Sequence, residues 1–160
     1  QLLLVSAHAI DDASGTRVLK RHFSKLEATV PLETGASGLV VFTQDWRVAR
    51  KLIEDAAVME QEFIVEVEGE VAPDVIKRLN QTLSNDGKPL SSVKASLNSD
   101  NEKTSKLRFA VKGSHPGLIA YLCERVGLQI VSMKRLRVGR VAMTQLAPGK
   151  WRYLMDHERF

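Results

Sequence analysis

The residues with the clearest chemical potential in this sequence are cations that gather in its C-terminal part. Residues 1–100 contain 11 Lys/Arg and 15 Asp/Glu, whereas residues 101–160 contain 12 Lys/Arg and only 4 Asp/Glu. The interval between Glu124 and Asp156 contains no acid and seven cations, namely Arg125, Lys134, Arg135, Arg137, Arg140, Lys150 and Arg152. A one-sided basic segment is typical of polyanion binding. The alternative is a solvated strand face that balances the acidic half.

The sequence contains none of several common motifs for phosphate binding, metal binding or nucleophilic catalysis. It has no glycine-rich phosphate loop, no Cys/His metal spacing and no visible Ser-His-Asp arrangement. We therefore predict neither a metal nor a cofactor. The single cysteine, Cys123, excludes an intrachain disulfide and favours a reducing, cytoplasmic location. No apolar run approaches the roughly 18 residues of a membrane span, so we predict no membrane partner.

The predicted strands and helices that carry these cations indicate an α+β domain with a mixed, mainly antiparallel sheet flanked by helices. Apolar and β-branched runs, with alternation of apolar and polar residues over 62–68, predict strands at 2–5, 37–43, 62–68, 93–97, 107–111 and 151–154, and one long strand or a pair of strands over 128–141. Helices are predicted after Thr16, from Thr43 or Asp45 through Ile53, from Pro73, and from Pro116 to about Val126. The 160 residues suit one domain. Because the chain starts at Gln1, we expect a fragment that could lack an N-terminal RNA-binding module.

Four segments together resemble one protein family. They are PLETGASGLVVFTQD (31–45), MEQEFIVEVEGEV (59–71), LCERVGLQIVSMKRLRVGRV (122–141) and APGKWRYL (147–154). In order and spacing they are similar to the RsuA-type pseudouridine synthases that modify ribosomal RNA, and most of all to the RluF-type branch. The resemblance covers roughly residues 28–160 and implies a catalytic domain with a mixed sheet, flanking helices and a basic RNA cleft.

The resemblance also implies a reaction and its residues. A uracil is detached from C1′, rotated and rejoined through C5, without cofactor or metal, after the base has been flipped out of its helix. The family's catalytic aspartate falls on Glu33, which keeps the carboxylate but is one methylene longer. The aromatic residue that packs against the base falls on Phe63, which can stack but has no hydroxyl. A loop glutamate and a core phenylalanine are the structural alternatives.

Several positions of the family motif are altered in this chain. The arginine before the carboxylate has become Pro31, and the arginine expected to pair with the carboxylate has become Gly117. Ala120 and Tyr121 replace two further arginines of the same helix start. Loss of a cationic partner should raise the carboxylate pKa and remove a positional clamp. His115 is a weak substitute cation at best, or a structural loop histidine.

The basic strand near the C-terminus keeps the character that the resemblance implies for RNA contact. Strict alternation would place Arg135 and Arg137 on one face, and Lys134, Leu136, Val138 and Arg140 on the other. Together with Lys150 and Arg152, these cations are the predicted RNA-binding residues. The alternative is an edge strand on which Lys and Arg discourage aggregation.

Three functions remain open from the sequence. The first is a synthase that isomerises uridine in ribosomal RNA, impaired because Glu33 and Gly117 replace the usual Asp and Arg. The second is an inactive RNA- or ribosome-binding domain on the same fold, and the third is a protein-contact domain without RNA. We expect that an active Glu33 would face an open cleft and meet a cation, whereas a cleft filled by Leu118 and Tyr121 would argue against catalysis.

Overall fold

A computed structural model describes residues 3, 9–10, 14–81 and 93–160. The strands are β1 (Glu27–Thr29), β2 (Ala36–Gly38), β3 (Val41–Thr43), β4 (Glu60–Glu68), β5 (Val93–Asp100), β6 (Thr104–Lys112), β7 (Ile130–Val138) and β8 (Val141–Ala142). The α-helices are α1 (Trp46–Glu54), α2 (Pro73–Leu79) and α3 (Leu118–Arg125). Short 3-10 helices span Lys20–Phe23, Asp55–Ala57 and Asp156–Glu158.

The main sheet has the strand order β2-β7-β4-β6-β5, and β8 pairs with the end of β7. Its pairings are antiparallel except that β2 runs parallel to β7. Strands β1 and β3 form a separate antiparallel pair. The predicted α+β fold with a mixed, mainly antiparallel sheet and flanking helices is therefore confirmed.

Strand β4 shows why the sequence folds into a sheet with one apolar face. Phe63, Val65 and Val67 are buried, while Glu62, Ile64 and Glu66 on the other face are half-exposed. Because side chains alternate across a strand, this pattern commits one face to the core. The neighbouring strand β6 repeats it with Leu107, Phe109 and Val111. Residues of α2 and α3 pack on this face and complete the main core, among them Leu79, Ile119, Leu122 and Cys123.

A second, smaller core lies under helix α1. Leu52 of the helix is buried together with Val30, Leu39, Val138 and Val141. The helix begins where the sequence predicts, because the Asp45 side chain accepts the backbone N–H of Arg47 at 2.9 Å as an N-cap. This core fixes both ends of the segment between β1 and β3, which carries the candidate catalytic residue.

Three predicted elements differ from the structure. The strand predicted over 37–43 is interrupted at residues 39 and 40, directly after Gly38 with its φ of +112°, and β2 and β3 belong to different sheets. The helix predicted after Thr16 is only the 3-10 turn at Lys20–Phe23. Trp151 makes a single bridge to Ala9 instead of starting a strand over 151–154. The predicted strand at 2–5, apart from residue 3, lies outside the described residues.

None of the helices among the described residues has the length and apolar character needed to cross a bilayer.

A candidate active site at the start of helix α3

The Glu33 side chain reaches from the β1–β2 loop to the start of α3. Its Oε1 accepts the backbone N–H of Gly117 at 3.0 Å. The next N–H, that of Leu118, donates to the His115 carbonyl at 3.1 Å and also helps to lower the pKa of the Glu33 carboxyl. The carboxylate therefore sits at the start of the helix, near the positive end of its dipole. Gly117 has a φ of +85°, a left-handed conformation that favours glycine.

The carboxylate borders a small cavity between this helix and the sheet. Its apolar lining includes Phe63, Val111 and Ile119, and its polar lining includes Glu33, Gln61, Ser114 and His115. The cavity measures about 20 Å³, which is room for about one water molecule. A uracil ring can enter only if the walls move apart. Leu118 and Tyr121, whose filling of the cleft would argue against catalysis, are not among the residues that line the cavity, and Tyr121 is exposed at the surface.

The environment of Glu33 makes its charged form unfavourable. Burial raises the pKa of the Glu33 carboxyl above its ordinary value, and the hydrogen bonds from Gly117 and Leu118 oppose part of that effect. In the described part of the chain, no Lys, Arg or His lies within 4.0 Å of this carboxylate. The expected cation beside Glu33 is therefore not found among the described residues, and neutral main-chain donors hold the carboxylate instead.

The position of Phe63 suits both predicted roles, stacking against a base and packing in the core. The ring lines the cavity beside Glu33, yet it is only 4% exposed and belongs to the main core. A base could stack on it only after the cavity widens. The predicted stacking role of Phe63 therefore stays a prediction.

Arg135 is the residue whose role the sequence missed. It is fully buried, and its guanidinium donates to the Leu39 carbonyl at 2.7 and 2.9 Å, to the Val30 carbonyl at 2.8 Å and to Pro31 O at 3.3 Å. A further bond of 3.2 Å reaches Gln61 Oε1. Burial lowers the pKa of Arg135 to about 10. The prediction that Arg135 contacts RNA is wrong, because this side chain holds together the loop that carries Glu33.

The face assignment of the basic strand is also wrong. Phe63 pairs with Arg135 but Glu62 pairs with Arg137, so a register shift at this point inserts one extra residue into β7. Arg137 therefore shares the face of Lys134, opposite to Arg135. The cavity lies on the core face of β4, so Lys134 and Arg137 point away from it.

The remaining predicted RNA-binding cations divide into two groups. Arg137 is paired with Glu60 and Glu62, and the largely buried pair Arg152–Glu158 has a 2.6 Å contact with side chains only 11% and 6% exposed. These ion pairs tie Arg137 and Arg152 to the fold, and their predicted RNA contacts stay predictions. Lys134, Arg140 and Lys150 are half-exposed or exposed, so their predicted RNA contacts stay predictions.

No cluster of three or more His, Cys, Asp or Glu that could hold a metal occurs among residues 14–81 and 93–160 or the three earlier described residues.

Comparison with known proteins gives a consistent family of relatives. The chain is 30% identical over 145 residues to an uncharacterised RNA pseudouridine synthase of Aquifex aeolicus, covering 88% of this chain and 58% of that protein. It is 29% identical over 129 residues to ribosomal large subunit pseudouridine synthase B of Pseudomonas aeruginosa, covering 79% of this chain and 33% of that protein. The chain thus spans about a third to three fifths of the length of these two relatives. No family model matches the sequence.

Solved structures share the fold. A crystal structure of pseudouridylate synthase superimposes with a TM-score of 0.69 at 18% identity, covering 84% of this chain and 58% of that one. A chain of the archaeal box H/ACA sRNP Nop10–Cbf5 complex superimposes with a TM-score of 0.55 at 16% identity, covering 74% of this chain and 40% of that one.

Proposed function

We propose, from the premise that the chain belongs to the RNA pseudouridine synthase family, that it isomerises uridine to pseudouridine in ribosomal RNA with Glu33 as the catalytic carboxylate. The observation that carries this proposal is the placement of Glu33. Its carboxylate is fixed by the Gly117 amide at 3.0 Å and borders a cavity that Phe63 also lines. The single cysteine is buried, which fits action in a reducing compartment such as the cytoplasm.

The same geometry supports a slower reaction than that of a relative with an Arg–Asp pair. Glu33 has one more rotatable bond than aspartate, and its partners are neutral amides. An imprecision near 1 Å in the reacting atoms lowers rates by roughly a hundredfold. The walls of the cavity must also separate before a base can enter, and part of the binding free energy is then consumed in opening them.

A test of this proposal compares the intact chain with Glu33→Gln. Unmodified ribosomal RNA transcripts are incubated with each protein, and pseudouridine is scored by its carbodiimide adduct. We expect product with the unsubstituted chain and at least a hundredfold less with Glu33→Gln. Glu102→Gln removes the same charge from the exposed β5–β6 turn and should leave the rate unchanged. Equal product from the Glu33 variant and the unsubstituted chain would refute the role of Glu33.

A second candidate function, RNA binding without catalysis, is favoured by two specific observations. The cavity holds only about one water, and the cations Lys134 and Arg137 lie on the opposite face of the sheet. If neither the unsubstituted chain nor Glu33→Gln makes pseudouridine, but both bind the transcripts with an affinity that falls steeply with salt, this second function is the correct one.

A further inference from the structure

The proposed isomerisation needs a second proton-transfer group besides Glu33. When uracil is rejoined to C1′ through C5, the new C5–C1′ bond leaves C5 with a hydrogen that must depart as a proton. N1, which has lost its bond to C1′, must gain a proton. Phe63 has no hydroxyl and cannot perform either transfer. Among the described residues that line the cavity, the side chains that can exchange a proton with a carbon acid at neutral pH are Glu33 and His115.

We infer that the His115 imidazole is the base that removes the proton from C5, an inference that rests on the proposed function. His115 belongs to the residues that line the same cavity as Glu33 and Phe63. This assignment frees Glu33 to act at C1′, where the family resemblance places its carboxylate. The two steps of the reaction then use two different groups that line one cavity.

The hydrogen bonding of the His115 ring determines which nitrogen can accept the proton. Its Nε2 lies 3.0 Å from the backbone oxygen of Lys112. A carbonyl oxygen can only accept a hydrogen bond, so Nε2 carries the hydrogen in the neutral ring. Nδ1 is then the nitrogen with the free lone pair. Within the described part of the chain no hydrogen bond to this Nδ1 is formed, so it is available to a substrate.

The turn that carries His115 is built around its imidazole. Gly113 has a φ of +88°, and a Cβ there would lie 2.9 Å from His115 Nε2 and 2.9 Å from the Ala57 carbonyl oxygen. Only glycine therefore leaves room for the ring in this position. The turn is anchored by the Gly113 N–H, which donates to Met59 O at 2.8 Å, and by the Ser114 N–H, which donates to Ala56 O at 3.1 Å.

The step balances without any further reactant. The C5–H electron pair returns to the pyrimidine ring as the proton moves to His115 Nδ1, and the double bond between C5 and C6 is restored. N1 takes up one proton from water, and the imidazolium returns one proton to water. The net change is the exchange of an N1–C1′ bond for a C5–C1′ bond and of a C5–H bond for an N1–H bond, with no oxidation or reduction.

A heavy-isotope experiment on the intact chain separates this role from a structural one. The transcripts are prepared with either hydrogen or deuterium at C5 of uridine, and initial rates of pseudouridine formation are compared for the unsubstituted chain and His115→Asn. The asparagine amide can still donate to Lys112 O but cannot accept a proton. We expect a rate loss of roughly a hundredfold or more. We also expect a larger deuterium effect than in the unsubstituted chain, because loss of the C5 proton becomes the slow step.

Added imidazole provides an independent measurement. In His115→Gly, free imidazole should restore part of the lost rate, with a rate that increases with imidazole concentration. A rate equal to that of the unsubstituted chain in His115→Asn would overturn the inference. So would a slower rate without an increased deuterium effect and without imidazole rescue. A chain that makes no pseudouridine even when unsubstituted would overturn the proposed function and this inference with it. An active chain that loses activity in Glu33→Gln but keeps it in His115→Asn would overturn this inference and leave the proposed function standing.

Discussion

The substitution Arg135→Met is the sharpest test of how the candidate site is held together. The guanidinium supplies the donors for the buried carbonyls of Val30 and Leu39, on either side of the loop that carries Glu33. Methionine has a similar reach and no donor, so both carbonyls would remain buried without a partner. Each such group costs about 1 to 3 kcal/mol, which gives roughly 2 to 6 kcal/mol for the two.

A second effect of the substitution raises the free energy of unfolding and offsets part of this loss. Methionine removes the cost of burying a cation that has no carboxylate partner among the described residues. We therefore expect a net loss of about 3 kcal/mol in the free energy of unfolding. For a domain of this size, that loss lowers the melting temperature by about 6 to 12 °C. Circular dichroism of the intact chain during thermal unfolding measures it. The rate of pseudouridine formation should fall as well, because the loop is no longer fixed at Val30 and Pro31.

The matched control is Arg137→Met, two residues further along the same strand. Arg137 pairs with Glu60 and Glu62 at a half-exposed position, where ion pairs contribute about 1 kcal/mol or less. The control should therefore melt within about 4 °C of the unsubstituted chain. If Arg135→Met were no less stable than Arg137→Met, the reasoning that assigns Arg135 to the support of the loop would be refuted.

Four further outcomes are expected. Gly38→Ala should destabilise the fold strongly in thermal unfolding, because its Cβ would lie 2.3 Å from the backbone oxygen of Arg135. Gly117→Ala should lose only about 1 to 2 kcal/mol in the same measurement, since its φ of +85° is strained for alanine but its Cβ meets no atom within 4 Å. Glu33→Gln should melt higher than the unsubstituted chain at neutral pH, because burial raises the pKa of Glu33. This advantage should disappear below pH 4.5, where the carboxyl is protonated in the folded and unfolded states alike. Arg140→Ala should make the slope of log binding constant against log salt concentration shallower by about one if the arginine neutralises one RNA phosphate. An unchanged slope would exclude Arg140 from the interface.

The sheet could be predicted from the sequence because its strands alternate without interruption. Phe63, Val65 and Val67 fall on one face and Glu62, Glu66 and Glu68 on the other, and this period of two can be recognised without knowledge of the neighbouring strand. The N-cap at Asp45 is equally local, since its side chain accepts an N–H only two residues further on. Such features depend on residues close in sequence.

The basic strand could not be predicted in the same way, because one inserted residue changes every side chain beyond it. Strict alternation along the strand would place Arg137 on the same face of the sheet as Arg135. The register shift between Glu62 and Phe63 of the neighbouring strand moves Arg137 to the opposite face. A hint is present in the residues themselves. Arg135 lies between Met133 and Val138, both buried, in a stretch whose alternation is broken. A cation within such an apolar stretch is a candidate for burial with backbone acceptors.

The partner of Glu33 could not be predicted for a different reason. The sequence shows that Gly117 has no side chain, which predicts that the carboxylate lacks a partner there. The structure shows that the backbone N–H of Gly117 itself binds the carboxylate. A main-chain donor is present at almost every residue, so its use cannot be read from residue type.

Replacing a cationic partner by main-chain donors changes the pKa and the nucleophilicity expected of the Glu33 carboxylate. It does more than lower the expected rate. A carboxylate paired with arginine has a lowered pKa, and its electron pairs are correspondingly less available to an electrophile. Glu33, held by neutral amides and partly desolvated, has a raised pKa. Its anion is scarcer at a given pH but more basic, which favours attack on carbon once the base has entered. The Gly117 N–H also belongs to the N-cap of a packed helix, so it can fix the orientation of the longer side chain. The departures at Glu33 and Gly117 thus compensate each other in part, because the additional methylene allows the carboxylate to reach the backbone where an arginine side chain is absent.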